Sequence, residues 1–215
     1  MKKLIYKEIR LALHPAAIIF LFLSAMLLIP NYPYYVAFFY TCLGIFFICL
    51  NGRENKDIEF MSVLPVRKRE AVKARFLLTI ILELAQLLLA VPFAWIQSHI
   101  IKQPNAVGMD ANIALFGVAF LLLGVFNFVF FSRYYKNPSK VGGPFLWGCA
   151  VFTCLMVIAE ASVHVIPFLR DCIDTLDPGS WEYKLVVLAA GAVLYAVLTW
   201  SAYIKSAKSF EKLDI

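Results

Sequence analysis

The chain has 215 residues, of which 62% are hydrophobic and only 16% charged, whereas ordinary soluble domains are about 45–50% apolar and about 25% charged. With a mean hydropathy of +0.78, that excess excludes a soluble globular protein. Twenty Lys and Arg against 14 Asp and Glu leave a net charge of +6; on so apolar a chain the surplus reports membrane topology, and it implies no nucleic-acid partner.

From the N-terminus, MKKLIYKEIRLALHP sets Lys3, Lys7 and Arg10 on one helical side and Ile5, Tyr6, Ile9 and Leu13 on the other. Residues 1–14 are therefore predicted to form an interfacial amphipathic helix in the headgroup layer, and His14-Pro15 then turns the chain inward. Six apolar runs follow, at about 15–31, 34–50, 76–99, 111–132, 143–166 and 184–204, each close to the roughly 20 residues that cross about 30 Å of hydrocarbon. Backbone groups in lipid must bond within the segment, and runs such as LFGVAFLLLGVFNFVFF (115–131) lack the period-two alternation of a membrane β-barrel. The expectation is an all-α polytopic bundle of six transmembrane helices in one domain, 1–215. Seventeen of the 20 basic residues fall in 2–10, 53–75, 133–140 and 205–212; Lys102, Arg170 and Lys184 fall on the other side with Asp110, Asp171, Asp174, Asp177 and Glu182. That asymmetry predicts both termini in the cytoplasm. Of five cysteines, four lie in spans and Cys172 alone in an outer loop, so they read as packing residues rather than a disulfide framework.

The longest inner segment, 51–75, is NGRENKDIEFMSVLPVRKREAVKAR. Acidic Glu54, Asp57 and Glu59 lead into apolar Ile58, Phe60, Met61, Val63 and Leu64; Pro65 breaks the helix, and Arg67-Lys68-Arg69-Glu70 opens the next. An apolar knob with charged flanks, held at the membrane surface by spans on both sides, suits docking into a groove of a cytosolic partner. Inside the membrane, Thr79, Glu83, Gln86 and Ala90 share one helical face. An intramembrane acid faces the bundle interior or a cavity, so Thr79, Glu83 and Gln86 are candidates for lining a path or a dimer seam, against the plainer reading of a Glu satisfied by a neighbouring helix. Glu160 and His164 form an i, i+4 pair near the outer end of span five, with Pro167 beyond it; they join the candidates for lining the path or seam, although two ligands are too few for a metal site and a hydrogen-bonded interfacial pair is the commoner arrangement. Tyr32, Tyr34, Tyr35 and Trp181 read as interfacial aromatics. Gly117, Gly124 and the run Ala189-Ala190-Gly191-Ala192 allow close helix approach.

The run from Ser62 to Phe76, SVLPVRKREAVKARF, resembles a segment of ABC-2 type transporter permeases, and the six spans and interfacial N-terminal helix are similar to the same family. The likeness is to its compact members, such as bacterial permeases that export amphipathic peptides of the phenol-soluble modulin type. Arg67 replaces the small polar residue frequent in the family, and Arg75 stands beside the usual Lys. The resemblance implies a coupling helix at roughly 53–64 that seats on an ATP-binding cassette subunit through Glu54, Asp57, Ile58, Phe60, Met61, Leu64, Pro65 and Arg67. It further implies two copies of that ATPase, which bind ATP and Mg; a permease homodimer or heterodimer surrounded by membrane lipid; and a bacterial plasma membrane. The chain has no G-x-x-x-x-G-K-[ST], H-E-x-x-H or G-x-S-x-G, so it is expected to hold no cofactor or metal and to be a transport subunit rather than an enzyme. Two alternatives stand beside this reading: the substrate-binding membrane component of a vitamin uptake transporter, and a sensor or immunity protein that transports nothing.

Overall fold

The computed structural model describes residues 2–63, 65–175 and 180–213, and the regular structure among them is all helical. Helix α1 (Lys2–Lys7) runs on into a π-helical turn, Glu8–Ala12. Helix α2 (Pro15–Leu21) then leaves at 91° to it. The corner follows from local chemistry: His14 is extended, its Nδ1 accepts from the Ala16 amide at 3.1 Å, and Pro15 opens the helix where no N–H is needed. α2 continues as a 3₁₀ segment, Phe22–Leu28. There follow α3 (Tyr35–Glu54), α4 (Asp57–Val63), α5 (Lys68–Ile96), α6 (Ile113–Tyr134), α7 (Gly142–Val165) and α8 (Trp181–Glu211). α5 passes through a further π turn, Gln97–Ile101. Among the described residues five helices, α3 and α5–α8, are long and apolar enough to cross a membrane, and six if the bent N-terminal pair counts as one span.

The boundaries depart from expectation in an instructive way. α5 begins eight residues before the predicted 76, and α8 continues seven beyond the predicted 204. Hydropathy marks where lipid ends, whereas the i to i−4 ladder continues into water wherever a packed neighbour supports it. Nor is 53–64 one helix: α3 ends at Glu54, Lys56 takes a left-handed φ of 51°, and α4 starts afresh at Asp57 with acids in its first turn, where the helix dipole favours them.

α6 is the centre of the bundle. It lies against α8 over most of its length and also touches α7 and α3. The close approach to α8 rests on glycine: a Cβ on Gly191 would lie 1.9 Å from the Gly117 carbonyl oxygen, and one on Gly117 would lie 2.5 Å from the Val187 oxygen. Phenylalanines fill much of the remaining core, with Phe126, Phe130, Phe131 and Phe152 fully buried and Phe46 stacked on Phe145 at 4.2 Å. α7 and α8 turn large apolar side chains outward, among them Trp147, Val157, Val193 and Trp200. Tyr34 and Tyr35 correct the interfacial reading: both are buried, and the Tyr35 hydroxyl donates to Met109 Sδ at 3.2 Å. The loop after α5 folds over them, so a turn rich in tyrosine here packs inward rather than floating in headgroups.

Candidate functional site

The first site is assembled from three segments distant in sequence. Arg75, one turn into the buried part of α5, donates through Nε to Glu8 Oε2 at 2.5 Å and through Nη2 to Asp57 Oδ2 at 2.8 Å. Lys7 Nζ closes the ring, donating to Glu8 Oε1 at 3.1 Å and to Asp57 Oδ1. Two cations and two carboxylates make a neutral cluster, and the side chains of Arg75 and Glu8 are only 7% and 4% exposed. Beside it lies a cavity of about 20 Å³, lined also by Ile58, Met61 and Tyr134, room for about one water. The cluster thus bolts α4 both to α5 and to the N-terminal helical segment.

α4 is two-faced. Asp57, Ile58 and Met61 turn inward, Met61 to 8% exposure, whereas Phe60 and Val63 stand out, Val63 at 84%. Glu54 pairs with its neighbour Arg53 at 2.5 Å in solvent, and Pro65 and Arg67 are exposed in the link to α5. Leu64 lies outside the described residues. Of the eight residues assigned to partner contact, Asp57, Ile58 and Met61 are therefore engaged with their own chain, and the outward apolar pair is Phe60 and Val63. Glu8 went unremarked as a site residue because one acid among Lys2, Lys3, Lys7 and Arg10 looks incidental; the signal was that an amphipathic basic helix had no need of it.

Within the bundle, Thr79, Glu83, Gln86 and Ala90 all face inward. Glu83 Oε2 accepts from the Tyr195 hydroxyl at 2.6 Å and from Asn127 Nδ2 at 3.0 Å, and Asn127 Nδ2 also reaches Thr199 Oγ1 at 3.3 Å. Gln86 Nε2 donates to the Ala37 carbonyl at 3.2 Å. α5 is thereby joined to α6, α8 and α3 by polar contacts in a medium that rewards them. Glu83 Oε1, Gln86 Oε1 and Asn127 Oδ1 have no partner among the described residues. Asn127, Tyr195 and Thr199 were not foreseen, since each is a single polar group in an otherwise apolar run.

Glu160 and His164 do not bond to each other. Glu160 Oε2 accepts from the Met109 amide at 2.8 Å, and His164 Nε2 lies 3.3 Å from the Val107 oxygen. Both hold the loop between α5 and α6. The same loop is held again where the Asp110 amide donates to Asp174 Oδ1 at 2.6 Å, and the Asn105 amide to Asp110 Oδ1 at 2.6 Å. Burial, with the nearby Asp110 carboxylate adding to it, pushes the Asp174 carboxyl up to about 6. Burial raises Asp110 as well. Among the described residues no three His, Cys, Asp or Glu side chains come together to hold a metal ion.

Compared with known proteins, residues 3–211 match a family model described as ABC-2 family transporter protein. No curated protein and no solved structure matches the chain.

Proposed function

The chain belongs to the ABC-2 transporter family, whose members are membrane components that normally work with an ABC ATPase, and from that premise we propose that it is the permease subunit of an exporter driven by a separate cytosolic ATPase. α4 is its coupling helix, with Phe60 and Val63 as the contact. The observation that carries this reading is the two-faced α4: an apolar pair offered to solvent on one side, and on the other Asp57 ion-paired to Arg75 of α5. A partner that moves Phe60 and Val63 moves α5 and the interfacial helix with them. In this reading both termini are cytoplasmic, as the basic residues around α1, α4 and the end of α8 favour, and the outward faces of α7 and α8 meet lipid and a second permease copy or a related permease. Cargo is an amphipathic peptide or hydrophobic compound taken laterally from the bilayer, because short outer loops leave little outside it to select anything else.

The test is co-purification with the ATPase encoded beside this chain. Phe60→Asp together with Val63→Asp should abolish it at unchanged expression, while Glu54→Gln should leave it intact. Normal co-purification of the double variant would remove the coupling assignment.

A further inference from the structure

We propose that a groove between the cytoplasmic halves of α5 and α8 binds an anionic phospholipid from the leaflet nearest α4, its acyl chain in the groove and its phosphate on Lys73. This does not rest on the coupling role of α4. The groove has a volume of about 260 Å³ and is walled by Phe76, Leu77 and Ile80 on one side and Ala196, Trp200 and Tyr203 on the other. An apolar cavity of about 150 Å³ suffices for benzene, so a longer stretch of hydrocarbon fits here. From Lys73 to Ile80 α5 rises about 10 Å at 1.5 Å per residue, within the roughly 15 Å that one leaflet contributes to a 30 Å core.

The charge at the mouth selects the occupant. Lys68 donates to the Leu213 carbonyl and Arg69 pairs with Glu211 at 2.6 Å, whereas Lys73 is exposed and has no hydrogen bond or ion pair among the described residues. A phosphate at the membrane surface complements it. Trp200 and Tyr203, with ring centroids 5.6 Å apart, supply the amphipathic rings favoured at headgroup level. The floor of the groove includes Tyr195 and Thr199, the two α8 residues of the Glu83 network, so an occupied groove braces that network from the lipid side.

Trp200 reports on the groove directly. In the full chain with Trp95, Trp147 and Trp181 changed to Phe, reconstituted into bilayers, brominated phosphatidylglycerol should quench Trp200 more strongly than brominated phosphatidylcholine. The relative association constant should be about fivefold, the equivalent of about 1 kcal/mol for one basic residue at the surface. Lys73→Gln should bring it close to one, Lys136→Gln on the α6–α7 loop should leave it near five, and Ala196→Phe should reduce quenching by both lipids. Equal quenching by the two lipids in the parent, or an equal loss in Lys136→Gln, would overturn the Lys73 site. Absence of quenching by either lipid would mean that another protein surface covers the groove, and would overturn the proposal outright.

Discussion

Removing Arg75 tests whether the buried ion cluster is the mechanical joint that its geometry describes. Wild-type charges cancel: Lys7 and Arg75 against Glu8 and Asp57. Arg75→Gln leaves a net negative charge in a site where the Glu8 side chain is 4% exposed, and Glu8→Gln leaves a net positive one beside Arg75 at 7%. Breaking a buried pair by deleting one partner costs about 3–5 kcal/mol, against about 0–1 kcal/mol for an exposed pair. The double variant returns the site to neutrality with Lys7 and Asp57 still paired, so its loss should fall short of the summed single losses by about 0.5–3 kcal/mol. Reversible unfolding in mixed detergent micelles, followed by circular dichroism, measures all three. Transport adds a second readout: Arg75→Gln leaves the outward face of α4 intact, so the ATPase should still co-purify while ATP-driven export from reconstituted vesicles is lost. Single losses below about 1 kcal/mol that simply add, or normal export by Arg75→Gln, would refute the joint.

Gly191→Ala places a methyl against the main chain of Gly117, which has no rotamer to yield, so α6 and α8 must part; a loss of about 1–3 kcal/mol in the same unfolding assay is expected. Gly142→Ala, with nothing within 4 Å of the new Cβ, should stay within about 0.5 kcal/mol, and equal losses would contradict the packing described. In the segment after α7, the Asp174 carboxyl is raised from 3.8 to about 6, so the folded state holds more protons than the unfolded one between those values. This contribution to stability is therefore largest below about pH 4, falls as pH rises to about 6 and is flat above. Hydrogen exchange of the 105–110 amides should slow from pH 7.5 to pH 5 beyond the intrinsic pH effect, and Asp174→Asn should flatten that profile; an unchanged profile would remove Asp174 as its source. Glu83→Gln should alter export of cationic cargo without changing expression or co-purification with the ATPase, and unaltered export would exclude Glu83 from the path.

The helical architecture was legible because a bilayer imposes length and polarity on any chain that crosses it: five of the six predicted runs correspond to single long helices, and the corner at His14-Pro15 is where capping and proline chemistry require it. The glycines between α6 and α8 were legible for a related reason, since only small residues permit such an approach. What escaped was whatever depends on a partner far along the chain. Glu8 meets Arg75 across 67 residues and Tyr195 meets Glu83 across 112, and no local pattern encodes either pairing. The direction of α4 was hidden too. Seven residues with four apolar side chains can present either face, and it is the ion pair from Asp57 to Arg75 that orients Ile58 and Met61 inward and Phe60 and Val63 out.

α5 carries both polar sites. Arg75 ties its N-terminal end to the α1 segment and α4, and Glu83, eight residues and about 12 Å further along, ties its middle to α6 and α8. Between Arg75 and Glu83 no proline interrupts α5, so a movement of α4 that enters the bundle through Arg75 loads the hydrogen bonds on Glu83. Both donors converge on one oxygen, Oε2. Sliding α5 by a fraction of a turn breaks both together, and the buried acid is then left without partners in lipid-like surroundings, which is unfavourable. The network therefore resists small displacements of α5 and yields in one step to large ones. That behaviour suits a helix that must stay in place until a partner drives it.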